Sequence, residues 1–225
     1  MIIKNLLILF TVTLSLFGMR RDDIPEYKGG ATNLNSFISR SIIYPEYSKF
    51  NCLQGTIQVS FRLNKKGRIV ESKVTKGMGI DLDEEALRVT RLTSGKWTVP
   101  ASFDTTQYLT IPINFSLREY NCENKSAEEI REAIGAYRAH EDLTKVVTNY
   151  YQRRNEGNYS AESEAKILEI KEQLGLDEKF IDRLVRQANQ KLKQGDKEGA
   201  CEDFTFVKNL GSNKADKQIA DNCKK

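Results

Sequence analysis

Apolar and polar residues alternate strictly from Thr56 to Leu63. Ile57, Val59, Phe61 and Leu63 fall on one side, and Thr56, Gln58, Ser60 and Arg62 on the other. That period of two is the signature of a half-buried strand. Asn64-Lys65-Lys66-Gly67 supplies a turn, with Gly67 suited to a positive φ. Arg68 to Thr75 then returns as a second strand rich in β-branched residues. Upstream, Leu34, Phe37, Ile38 and Ile42 recur at three- and four-residue spacing and predict a short helix over 33–43, stopped by Tyr44-Pro45. Downstream, Gly77 and Gly79 break the strand. Asp81 and Glu84 have capping-box spacing, opening a helix whose buried stripe is Leu82, Ala86, Val89 and Thr90. Gly95 ends that helix.

Gln107 to Leu117 predicts a third strand, with Leu109, Ile111, Ile113, Phe115 and Leu117 facing inward. Pro112 lies inside it. Proline cannot donate a ladder hydrogen bond, so this strand belongs at a sheet edge with Pro112 directed outward. By the alternation of backbone direction, Thr110, Asn114 and Ser116 also direct their N–H and C=O outward, and Ile111, Ile113 and Phe115 bond inward.

After Cys122 the texture changes. Ser126 to the end is rich in Glu, Lys, Arg, Ala and Gln and has no proline. Ser126 and Glu129 form a second capping-box pair. Helices are expected near 126–155, 161–174, 177–194, 197–210 and 212–222, with Gly175, Gly195 and Gly211 at the breaks. The chain therefore divides into 1–21, an α+β domain at 22–122 and an all-α tail at 123–225.

Composition narrows the function. The net charge is +4, and no run of Lys and Arg interleaved with aromatics marks a nucleic-acid surface. Met1 to Lys4 carries one positive charge, Asn5 to Met19 is apolar apart from Thr, Ser and Asn, and Arg20-Arg21-Asp22-Asp23 closes the segment. This has the shape of an export signal; a membrane span needs about 20 apolar residues. Cleaved signal and uncleaved short anchor are both open, and both deliver the chain outside the cytoplasm. Cys52, Cys122, Cys201 and Cys223 form no C-x-x-C motif, and His140 is the sole histidine. A zinc site is disfavoured, and an even cysteine count in an exported chain reads as disulfides, most economically paired within each region.

Other chemistry-bearing residues read more simply as structure. Trp97 reads as core rather than a stacking platform, and His140 as an exposed helical residue. Asp81, Asp83, Glu84 and Glu85 read as a helix start rather than a cation site. Gly77-x-Gly79 lacks the further glycine and lysine of a phosphate cradle. Tyr150-Tyr151 with Arg153-Arg154 reads as a partner patch or a solvated helix end. No Ser–His–acid order, metal cluster or paired-carboxylate motif appears, so no enzyme and no cofactor is expected.

Several ordered pieces resemble one family. They are Pro25-Glu26-Tyr27-Lys28-Gly29-Gly30, Tyr44-Pro45, Gly55 to Phe61, Lys66-Gly67-Arg68-Ile69, Leu82 to Val89, Lys96-Trp97 and Pro112-Ile113-Asn114-Phe115. In this order they resemble the C-terminal domain of TonB, the periplasmic energy transducer, in the form common in Bacteroidetes. The resemblance implies a three-stranded antiparallel sheet of order 2-1-3, helices on one face, and an open third strand. On that edge a short N-terminal segment of an outer-membrane transporter, the TonB box, adds as a further strand. The residues so implied are Tyr108, Thr110, Pro112, Asn114 and Ser116. The same topology brings Cys52 and Cys122 together, so that a bond between them would staple the edge strand to the sheet. Full transducers also carry a membrane helix engaging inner-membrane motor proteins and a long Pro-rich linker. Here only about 20 residues separate the apolar segment from the first motif, reaching roughly 70 Å at ~3.5 Å per residue, and the four prolines are not clustered.

The tail pieces Leu192, Gly195-Asp196, Gly199-Ala200, Asp203-Phe204 and Leu210-Gly211 resemble a degenerate tetratricopeptide-type helix pair. A lone repeat cannot bury its own face. Three roles follow as expectations: a periplasmic module for a TonB-box-like peptide, a transducer anchored by residues 5–19, and a scaffold working through its helical tail. An open edge also permits pairing between two copies.

Overall fold

In the computed structural model, which describes residues 23–118, 120, 122–157 and 160–223, the chain begins with a two-residue strand, β1 (Glu26–Tyr27). Helices α1 (Gly30–Ser41) and α2 (Glu46–Phe50) follow. The first helix starts at Gly30, three residues before the expected boundary at 33, because Gly29 takes the left-handed conformation (φ 88°) that turns the chain into it.

The expected hairpin forms as β2 (Gly55–Leu63) and β3 (Ile69–Lys76), antiparallel to each other. The Asn64 side-chain carbonyl accepts from the N–H groups of Lys66 and Arg68, both at 3.0 Å, and fixes the turn. Gly67 (φ 71°) is required there, since a Cβ would also run into the Trp97 carbonyl. Helix α3 (Asp81–Arg91) lays Leu82, Ala86 and Val89 onto the sheet; all three are fully buried. Then come β4 (Trp97–Thr98), paired with β1, and β5 (Leu109–Phe115), paired antiparallel with β2. The sheet order is β3-β2-β5, with α1 and α3 packed on the face carrying Ile57, Val59, Phe61 and Leu63.

The tail comprises α4 (Ala127–Asn155), α5 (Ala161–Gln173), α6 (Glu178–Gln194), α7 (Lys197–Asn209) and α8 (Asp216–Asn222). Ser126 and Glu129 form a reciprocal capping box at the start of α4. The last helix is shorter than its expected 212–222, because Asp216 N–H bonds the Asn213 carbonyl (3.1 Å) in a turn that sends Ala215 into the core.

The buried residues form two clusters. One gathers the inward strand residues with Tyr27, Ile38, Leu53, Trp97 and α3. The other gathers Val147, Tyr151, Ile181, Ala188, Ala200, Phe204 and Val207. Helix α4 joins them: Ile130, Ala133, Ile134 and Tyr137 pack on the first, and Val147 and Tyr151 lie in the second.

A capping box at Asp81 and Glu84 does not form. The N-cap is Ile80, without a side-chain cap bond. Asp81 instead accepts from the Ser48 hydroxyl and, at 3.3 Å, from its N–H. Asp83 accepts from the amides of Met78 (2.9 Å) and Gly79 (2.8 Å). Partners far along the chain and in the preceding loop outcompete the local cap.

Candidate functional site: the free edge of the sheet

Pro112 lies opposite Gln58 in the β2–β5 ladder. A hydrogen-bonded antiparallel pair exchanges two N–H···O bonds, and proline has no N–H to give. Gln58–Pro112 is therefore a non-bonded pair, and the ladder bonds fall at Ile57–Ile113, Val59–Ile111 and Gly55–Phe115. Leu117 continues the inward parity: its N–H donates to the Gln54 side-chain carbonyl at 2.7 Å. Thr110, Asn114 and Ser116 accordingly turn their backbone groups away from β2. Their side chains and that of Pro112 are exposed, whereas Ile111, Ile113, Phe115 and Leu117 are buried.

The sheet has two edges, and they differ. The β2–β3 pairing shifts register between Gln58 and Val59 and again between Arg62 and Leu63. Such bulges kink a strand and blunt its edge. The β2–β5 pairing runs without a shift from Gly55↔Phe115 to Phe61↔Leu109. Among the described residues, β5 is thus the regular strand with an unoccupied side.

The open face beside this edge is polar and cross-linked. Ser60 and Thr110 hydroxyls meet at 2.7 Å, and the Thr56 hydroxyl donates to the Asn114 side-chain carbonyl at 3.1 Å. Tyr108 lies just before β5, and its ring folds over this face. Its hydroxyl donates to the Glu71 carboxylate, with Lys73 Nζ 4.1 Å from the ring centroid. Arg62 Nε donates to the same carboxylate at 2.8 Å. The Tyr108 hydroxyl first, and Arg62 second, hold the Glu71 carboxyl below its usual range. Glu71 and Lys73 were not singled out from sequence. Their spacing of two places them on one face of β3, but only the ladder puts that face beside Tyr108.

Cys52 and Cys122 are bonded, with Cα atoms 5.5 Å apart across 70 residues of chain. The bond joins the residues just before β2 and just after β5. Cys201 and Cys223 are bonded across 22 residues, tying α7 to the end of α8.

The remaining candidates fall into the framework. Trp97 is buried between Tyr27 and Phe61, its indole N–H donating to the Thr93 hydroxyl at 2.9 Å. His140 is exposed on α4. The amides of Met78 and Gly79, where a phosphate would sit, already hold Asp83. Glu85 pairs with Arg88 and accepts from the Ile43 amide at 2.6 Å. Tyr150 and Tyr151 do not form a solvated helix end: Tyr151 is buried in the second core, with Tyr150 against it. Among the described residues no group of three or more His, Cys, Asp or Glu could hold a metal ion, and no helix is long and apolar enough to cross a membrane. Residues 1–21, expected from the sequence to act as an export signal or short anchor, lie outside the described residues.

No curated protein matches the chain. A solved structure, the NMR solution structure of the Helicobacter pylori TonB C-terminal domain (residues 194–285), is similar at 27% identity, covering 40% of this chain and 95% of that one, with a TM-score of 0.34. Residues 40–117 match the family described as Gram-negative bacterial TonB protein C-terminal. That span holds β2, β3, α3 and β5 in full, so the sheet of this chain is similar to the TonB C-terminal family over the residues matched.

Proposed function

We propose that this chain is a periplasmic binding protein of TonB-dependent transport. Its sheet domain (22–122) takes an extended N-terminal segment of an outer-membrane transporter as an added strand along β5, and the helical tail (123–225) forms a second unit. The observation that carries this reading is the unshifted β5 ladder, whose proline demands that the other side face outward. Strand addition supplies affinity through main-chain bonds, each worth about 0.5–1.5 kcal/mol net. The sites are the outward backbone groups of Thr110, Asn114 and Ser116, the Pro112 carbonyl, and the neighbouring Tyr108 ring. The role is recognition rather than catalysis. The disulfides suit an oxidising compartment. The tail leaves the edge clear in this reading, since its ion pairs to the sheet domain run from α7 to Arg91 on α3, at the β3 side.

The test is Asn114→Pro in the full chain. It removes an outward donor while the inward ladder at Ile113 and Phe115 stays intact. The expected result is a roughly tenfold loss of affinity for transporter N-terminal peptides, about 1.4 kcal/mol, with the melting temperature little changed. A folded variant binding with native affinity would exclude β5 as the docking edge.

A further inference from the structure

Four half-buried rings, on four different helices, line one cavity of about 430 Å³. Tyr47 of α2 and Tyr137 of α4 pack against the first core, their centroids 5.2 Å apart. Phe180 of α6 and Phe206 of α7 pack against the second and meet edge-on at 6.5 Å. The hydroxyls among the rings are largely committed: Tyr47 donates to the Ala133 carbonyl at 2.6 Å, and Thr144 to the His140 carbonyl at 3.0 Å. The walls are therefore aromatic faces and edges. Glu141 is the acid in the lining. Together with Tyr137 it also lines the adjoining cleft, which holds Glu84 of α3. Burial first, and then the carboxylates of Glu84, Glu141, Asp81 and Asp83, push the Tyr137 hydroxyl well above its usual range. Nearby cations are engaged elsewhere: Lys145 with Asp142 at 2.9 Å, Lys191 with Asp203 at 2.8 Å, and Arg138 with the Met78 carbonyl. Among the described residues, the ion-pair partner within reach of Glu141 is His140 Nδ1, at 4.0 Å.

We propose that this cavity is a second binding site, for a small organic cation whose ammonium carries N-methyl groups, with the rings around the methyl groups and Glu141 opposite the charge. Rings that are negative over their faces attract a cation, and a methylated ammonium loses little hydration on entering among them. The Phe180 ring already takes one cation this way, with the Arg183 guanidinium 5.7 Å from its centroid. A neutral apolar ligand would fill the rings but leave Glu141 uncompensated, and an anion would be repelled. A bare metal ion is not served either, because among the described residues no group of three or more acids, Cys or His could hold one. The site uses none of the β5 edge, so it stands or falls apart from strand addition.

The test is calorimetric titration of the full oxidised chain with three probes. Choline is the methylated cation. The alcohol with a tert-butyl group in place of its trimethylammonium has the same shape without charge, and ethanolamine has the charge without the methyl groups. Choline is expected to bind about tenfold tighter than either. Phe180→Leu removes a ring but keeps apolar contact, and should weaken choline about tenfold. Glu141→Gln, at a half-buried position, should bring choline to within about twofold of the neutral alcohol, with circular dichroism unchanged. Asn114→Pro should leave choline binding as it is, separating this site from the β5 edge. If the neutral alcohol or ethanolamine binds as tightly as choline, or Glu141→Gln binds choline as the native chain does, the cavity is not a site for methylated cations. Absence of saturable choline binding below about 10 mM would equally overturn it.

Discussion

At the edge, Pro112 and Tyr108 act through different chemistry. Pro112 acts by what it lacks, an N–H, and that deficit fixes which backbone groups of β5 face outward. Tyr108 acts through its hydroxyl bond to Glu71, which Arg62 shares. Glu71 ionises more readily in the fold than in the open chain. Its interactions therefore add stability above the ordinary glutamate range and lose it as pH falls through the lower folded value. Acidification below that range is expected to release the Tyr108 ring from Glu71, seen as a shift in its NMR ring signals. Glu71→Gln should abolish this step, and an unaltered step in that variant would assign it to another carboxyl. Pro112's role was legible in the sequence because it follows from one residue's covalent structure. The Tyr108–Glu71 bond was not, because those residues are 37 positions apart and meet only through the β3-β2-β5 order.

Among the elements, β5 is held along one side by β2, and past its end by the Cys52–Cys122 bond and the Leu117–Gln54 hydrogen bond. Closing a loop of this length stabilises a fold by roughly 2–4 kcal/mol. Cys52→Ala with Cys122→Ala is expected to lower stability by about that amount. Amide hydrogen exchange should quicken first at Phe115 and Leu117; uniform quickening across β2 and β3 would show that the bond does not act locally. Period-two alternation revealed β2 and the inward face of β5 directly. It did not reveal how α3 begins. Asp81 and Glu84 have the spacing of a capping box, yet Asp81 is held by Ser48 and Asp83 by the loop amides. A local cap contributes only about 1 kcal/mol, so contacts with other elements readily displace it.

Over the whole molecule, two cores share α4, and Arg91 links them a second time. Its guanidinium is buried, with Nη1 at 2.8 Å from Glu202, Nε at 3.0 Å from Glu198, and Nε also 2.9 Å from the Ser72 hydroxyl. Breaking a fully buried ion pair costs about 3–5 kcal/mol. Glu198 and Glu202 keep 45% and 58% of their side-chain surface in water, so they remain solvated when the arginine is lost. Arg91→Met is expected to cost about 2 kcal/mol and to loosen the tail from the sheet domain, read by melting and by limited proteolysis. Peptide affinity at β5 should hold, since Arg91 lies toward β3. A matching loss of affinity would show that the tail supports the edge.

The sequence by itself determined the inward residues of β2 and β5, the outward direction at Pro112, and the division into a sheet region and a helical region. Each of these follows from the chemistry of one residue or the period of one segment. Tertiary structure alone decided that β3 is bulged while β5 is regular, that the Tyr108 ring covers the open face, and that rings of α2, α4, α6 and α7 line one cavity. It also decided that Arg91 joins the two cores. Each of these is a contact between residues distant along the chain, and local pattern carries no information about which distant partner a side chain will meet.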